Sequence, residues 1–175
     1  MSFANQSSGS IRLVGDVVGY TRAGTVTAEG GMAAIPPQRV LDTQTGIGAS
    51  ATPVASRRTI TVQVAGRAGV PLMGARAVLL NVTATSAQAR GFLTLYAGHY
   101  CTPTGVSTVN FAPGRAVANM VLAPLAPDGT VTLYNGSAGT VRIIADVSAY
   151  DGTASTRRRP LHLQRRHRRQ QPLDV

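Results

Sequence analysis

Apolar and polar residues alternate with a period of two through most of this chain. In "TVRIIADVSAY", Val141, Ile143, Ala145 and Val147 share one face, and Arg142, Ile144, Asp146 and Ser148 share the other. Ile60, Val62 and Val64 alternate in the same way with Thr59, Thr61 and Gln63, and Val78, Leu80 and Val82 with Leu79, Asn81 and Thr83. Leu93 and Leu95 alternate with Phe92, Thr94 and Tyr96. The pattern predicts strands over residues 57–65, 75–85, 91–97, 105–111, 115–124, 129–135 and 139–149, with "VLD" at 40–42 as a further short one. Turn residues separate them: "AGRAGVP" at 65–71, "TPTG" at 102–105, "APG" at 112–114 and "PDG" at 127–129. No segment of helical length holds a 3.6-residue period. Short strands punctuated by Gly and Pro predict an all-β domain over residues 36–151. The expected architecture is an antiparallel β-sandwich, jelly-roll-like or immunoglobulin-like, of roughly seven to nine short strands.

One stretch occurs twice. "NQSSGSIRLVGDVVGY" at 5–20 matches "NGSAGTVRIIADVSAY" at 135–150 without gaps, with identity at Asn5/Asn135, Ser7/Ser137, Gly9/Gly139, Arg12/Arg142, Asp16/Asp146, Val17/Val147 and Tyr20/Tyr150. The match reads as a repeat. Residues 1–20 then look like the closing strand of a preceding copy and residues 21–35 like a linker, so trimming residues 1–35 is expected to leave the melting temperature of the domain nearly unchanged.

Composition changes this picture in three places. Aromatic residues are only 5% of the chain and Trp is absent, so the core must come from Val, Leu, Ile and Ala, with Phe92, Phe111, Tyr96 and Tyr134 as the expected larger fillers. The net charge of +10 is carried by 17 Arg with no Lys, and +6 of it lies in residues 152–175. That tail reads as disordered, and its Arg, Pro, His and Gln content resembles GC-rich sequence read out of frame. No apolar run reaches the roughly 20 residues needed to cross a bilayer, and "MSFANQSSGS" lacks the basic and apolar regions of a secretory signal.

Six phrases together, "RVLDTQTGIGA", "VQVAGRAGVP", "AVLLNVTAT", "GFLTLYAG", "VNFAPGRAVANMVLAPL" and "VTLYNGSAGTVRIIADVSAY", resemble a β-sandwich module repeated in large secreted proteins of Streptomyces and related actinobacteria. The resemblance covers almost all of residues 38–150, and again 5–20. It implies an extracellular or cell-wall-associated module with no settled activity, with an export signal upstream and neighbouring repeats as partners. The chain departs from the pattern at Gln44, where Arg is usual, in "GHYCTPTG", and at "AYD" in place of "GYY".

Catalytic side chains are sparse. His99 and Cys101 could begin a nucleophile–base pair, but no third group is in evidence and the bland reading is a surface His and a free thiol. Two ligands in "HYC" fall short of a metal site. A single Cys forms no intrachain disulfide. Asp42 in "LDTQTG" is a weak Ca²⁺ candidate, set against an Asx turn, and Asp128 before Gly129 reads as hairpin chemistry. Arg142 and Asp146 lie too far apart along one strand to pair, and read as cross-strand partners that hold register. "NVT" at 81 and "NGS" at 135 match the glycosylation sequon.

The expectation is therefore a non-enzymatic module without cofactor that serves adhesion, spacing or weak binding of cell-wall or other extracellular polysaccharide, with avidity across repeats. One alternative is an accessory module of a secreted hydrolase. Another is a nucleic-acid binder acting through the Arg-rich tail, against which stand the missing aromatics and the lack of a DNA-binding motif.

Overall fold

The computed structural model describes residues 8–10, 31–98 and 106–152. The predicted stump strand within 1–20, the first part of the linker, His99 and Cys101, and the tail from 153 onward lie outside the described residues.

Eight strands form the fold: β1 (Gly31–Asp42), β2 (Thr59–Gln63), β3 (Ala75–Thr85), β4 (Gly91–Ala97), β5 (Val109–Phe111), β6 (Val117–Pro124), β7 (Thr130–Asn135) and β8 (Arg142–Gly152). They make two antiparallel four-stranded sheets, β1-β8-β3-β6 and β2-β7-β4-β5. First pairs with last, second with seventh, third with sixth and fourth with fifth, which is the strand pairing of a jelly roll. Of the two sandwich topologies expected, the immunoglobulin-like one is set aside by this order.

The period-two pattern explains why the sheets face each other as they do. Val78, Leu80, Val82 and Ala84 of β3 and Ile143, Ala145 and Val147 of β8 are fully buried, and meet Val62, Leu93, Val131 and Leu133 from the other sheet. Each such aliphatic side chain contributes about 1.5–3 kcal/mol when fully buried. A bulge between Leu79 and Leu80 shifts the β8 register, so that Tyr150 stands opposite Val78 and packs half-buried on the core.

Two sequence expectations are corrected. β1 starts at Gly31, inside the predicted linker, and its first residues pair with the end of β8: Gly31 with Gly152, Met32 with Asp151, Ala33 with Tyr150 and Ala34 with Ala149. Period-two reading missed this part because Pro36 and Pro37 interrupt it, and the register breaks between Ala34 and Gln38. Proline cannot donate to a ladder, so it is confined to an edge or a bulge, where it also blocks further strand addition. Ile35 packs against the core from this edge. Deleting residues 1–35 should therefore lower the melting temperature by several degrees, at roughly 3–5 °C per kcal/mol for a domain of this size. An unchanged thermal transition would show that the Gly31–Ile35 pairing adds nothing.

The second correction concerns the aromatics. Of the four expected core fillers only Phe111 is buried, whereas Phe92, Tyr96 and Tyr134 are half-buried on the outer face of the second sheet.

Polar side chains tie the ends of the strands together. Asp42 closes an Asx turn, accepting from the backbone N–H groups of Gln44 (2.8 Å) and Thr45 (3.3 Å). Thr43, fully buried, clamps this turn to the start of β8: its hydroxyl accepts from the Ile143 N–H at 2.9 Å. Arg142 donates to the Thr43 carbonyl, and Arg39 bridges Asp42 (2.9 Å) and Asp146 (3.0 Å). The cross-strand reading of Arg142 and Asp146 thus holds, through β1 and the turn that follows it. Asp128 accepts from both the N–H and the hydroxyl of Thr130, with Gly129 in the left-handed region at φ 78°. No helix among the described residues is long and apolar enough to cross a membrane.

Candidate functional site

The outer face of the β2-β7-β4-β5 sheet is built from the positions that alternate with the buried ones. Strand register places Thr59, Tyr134 and Thr94 in one row, and Thr61, Thr132 and Tyr96 in the next. Phe92 follows on β4, opposite Asn110 of β5. The result is a face of hydroxyls with three aromatic rings at its centre. Phe92 and Tyr134 are tilted against one another, with ring centroids 6.4 Å apart and planes inclined at 58°.

These rings are held in place from beneath. A β-carbon at Gly136 would come within 2.4 Å of the Phe92 ring, so the ring lies directly on glycine backbone. Thr94 and Thr132 are buried; the Thr61 and Thr132 hydroxyls bond at 2.9 Å, and Thr94 donates to the Val106 carbonyl at 2.6 Å. Unsatisfied buried hydroxyls are costly, and these two are paired. The face is therefore backed by glycine backbone under Phe92 and by paired threonine hydroxyls.

Its end nearest the β2 and β4 starts is clamped by Asn135. The buried amide donates to the carbonyls of Val54 (3.0 Å), Ala55 (3.0 Å) and Gly139 (2.9 Å), and its oxygen accepts from the Ser137 N–H and hydroxyl. Ser56 donates to the Ser137 carbonyl at 2.8 Å. This network fixes the turn Ala55–Arg58 against the 136–139 turn. It also removes Asn135 from consideration as a glycosylation acceptor in the folded protein, because the amide that would carry the sugar is buried and used.

The other sequence candidates fall elsewhere. Asp42 is buried and lies at the β1 end. Burial raises its carboxyl pKa, but the N–H groups of Gln44 and Thr45, with Arg39, outweigh that and hold it below the usual carboxylate range. With donors on both oxygens and a guanidinium beside it, Asp42 is a turn residue and not a Ca²⁺ ligand. Among the described residues no three His, Cys, Asp or Glu side chains converge as a metal site would require.

Sequence reading missed Phe92, Tyr96 and Tyr134 as a group. The signal was present in "GFLTLYAG", where Phe92 and Tyr96 oppose Leu93 and Leu95; only the pairing of β4 with β7 adds Tyr134. No family model matches the chain, and no curated protein matches it.

Proposed function

We propose that this chain is a non-catalytic, extracellular or wall-associated module that binds polysaccharide through the outer face of β2-β7-β4-β5. The observation that supports this reading is the grouping of Phe92, Tyr96 and Tyr134 with Thr59 and Thr61 on one sheet face. A sugar ring has an apolar C–H face and a hydroxyl rim. Half-buried rings meet the first and hydroxyl-bearing strands meet the second. The site is shallow, so single-module affinity is weak and gains from tandem copies, in keeping with the repeat in the sequence.

The test is retention of the full chain on insoluble polysaccharides, with peptidoglycan and chitin first. Phe92→Ala and Tyr134→Ala should each weaken retention at least about fivefold, the cost of removing a contact worth about 1 kcal/mol. If both variants are retained as well as the parent while melting at the same temperature, the face is not the binding surface and spacer becomes the better description.

A further inference from the structure

We infer that β6 is a pairing edge, and that its occupant is the β6 of a second copy of this chain, laid antiparallel to the first. The β1-β8-β3-β6 sheets of the two copies then join into one.

An edge strand presents a row of unpaired N–H and C=O groups, and folded proteins protect it with proline, charge, bulges or short length. β1 is protected in this way: Pro36 and Pro37 interrupt it, Arg39 lies on it and its register with β8 shifts between Ala34 and Gln38 and between Arg39 and Leu41. β2 has five residues and follows directly on Arg57 and Arg58, and β5 has three. β6 has none of these devices before its last residue. It runs for eight residues, Val117–Pro124, without a charge and without a register break against β3. Among the described residues β3 is its only neighbour in the sheet. Met120 and Leu122 are each 55% exposed, and Ala118 and Asn119 are exposed beside them.

The pairing with β3 decides which backbone groups face outward. Leu125 N–H donates to the Arg76 carbonyl at 2.7 Å, one step beyond the Ala77–Pro124 pair. Hydrogen-bonded pairs alternate along an antiparallel ladder, so Val117, Asn119, Val121 and Ala123 turn their N–H and C=O groups to β3. Ala118, Met120 and Leu122 turn theirs to the free edge. A two-fold axis between the two Val121 residues then sets Met120 opposite Leu122 of the second copy, and Leu122 opposite its Met120. Each such pair exchanges both hydrogen bonds, and its two exposed side chains lie side by side on the outer face of the joined sheet. Pro124 falls at the end of this ladder, where its carbonyl accepts from Ala118 of the second copy. Leu79, half-buried and opposite Leu122 on β3, extends the apolar row.

This match of β6 to itself is what names the occupant. The chain carries a net charge of +10 and β6 carries none of it, so two like-charged copies meet along a neutral line. Antiparallel pairing also sets the Arg115 end of one strand beside the Asp128 end of the other and keeps the two Arg115 residues apart. One strand pair falls short of the ~1,200 Å² of a standard interface, so the dimer is weak and forms where copies are concentrated or held close.

The two-fold axis stands normal to the joined sheet and leaves both β2-β7-β4-β5 sheets on one side of it. Both aromatic faces then look the same way. The pairing does not depend on the polysaccharide reading; on that reading it makes the surface bivalent.

Sedimentation equilibrium of the full chain over a range of concentrations tests the pairing without any sugar. The parent should show a reversible monomer–dimer equilibrium. Met120→Lys and Leu122→Glu each place a charge on the exposed outer face. Each should weaken dimerisation about tenfold or more, since each alters both Met120–Leu122 contacts, worth up to about 1 kcal/mol apiece. An equimolar mixture of the two variants should pair again, because the introduced charges then stand opposite one another and the other Met120–Leu122 contact is intact. Recovery in the mixture also shows that both variants are folded. A parent that stays monomeric at about 1 mM, a dimer that both variants leave unchanged, or a mixture that pairs no better than either variant alone overturns the inference. Retention on polysaccharide is read separately, so the glycan reading can fail while the dimer stands, and the reverse.

Discussion

Asn135→Ala is expected to destabilise the protein by about 3–4 kcal/mol, with a melting temperature lower by 10 °C or more, as about 3–5 °C is lost per kcal/mol. The side chain makes five hydrogen bonds inside a solvent-excluded corner and joins the 54–55 segment to the 136–139 turn. Its removal leaves a void and strips the buried Ser137 N–H of its acceptor. The Val54, Ala55 and Gly139 carbonyls keep second donors in Val141, Arg58 and Ser137, which is why the loss stays below the sum of five bonds. Asn135→Asp should fail as well, because a carboxylate would face three carbonyl oxygens with no donor to offer. Thermal denaturation of both variants decides the matter. A loss under about 1 kcal/mol in the alanine variant would mean that the corner is held by the backbone alone.

Asp42→Ala should cost about 2–4 kcal/mol, and the loss should depend on pH. Two backbone N–H groups and Arg39 lose their acceptor at once. Because these donors hold the folded-state pKa of Asp42 below that of the unfolded chain, its contribution is complete above the unfolded value of about 3.9. It is lost as pH falls through the lowered folded value. Denaturant unfolding of parent and variant should therefore differ most at neutral pH and converge in acid. Asp42→Asn keeps the turn acceptor and should recover much of the loss while removing the acid sensitivity. A gap between parent and alanine variant that stays constant down to strongly acidic pH would contradict this assignment.

How much of this was legible beforehand depends on which interactions fixed each element. β3, β4, β7 and β8 carry strict alternation, and their positions follow from "AVLLNVTAT", "GFLTLYAG", "VTLYNGS" and "VRIIADVSAY" almost residue for residue. β1 was seen only at Val40–Asp42. Its earlier half has two prolines and exposed residues, and exists as strand because β8 presents unpaired backbone to it. That is a tertiary cause which local pattern does not carry. Asp42 as a turn residue and Arg142 and Asp146 as cross-strand partners were readable, because short polar side chains in turns and opposed charges on adjacent strands have few other uses. The aromatic face was not. A low aromatic content argues for placing every ring in the core, and the pairing of β7 with β4 is what brings Tyr134 beside Phe92.

The pairing of Gly31 with Gly152 brings the first and last residues of the sandwich to the same corner. In a tandem array, tension along the polypeptide would enter and leave each module at that corner and pull β1 away from β8 in the peeling direction. Antiparallel hydrogen bonds, which lie perpendicular to the strands, then load one after another instead of all together. A string of such modules would yield at low force and lengthen stepwise, each opened β1 taking Val40 and Leu41 out of the core and releasing slack. On the reading proposed above, mechanical compliance belongs to the β1–β8 edge and ligand contact to the opposite sheet of the same fold.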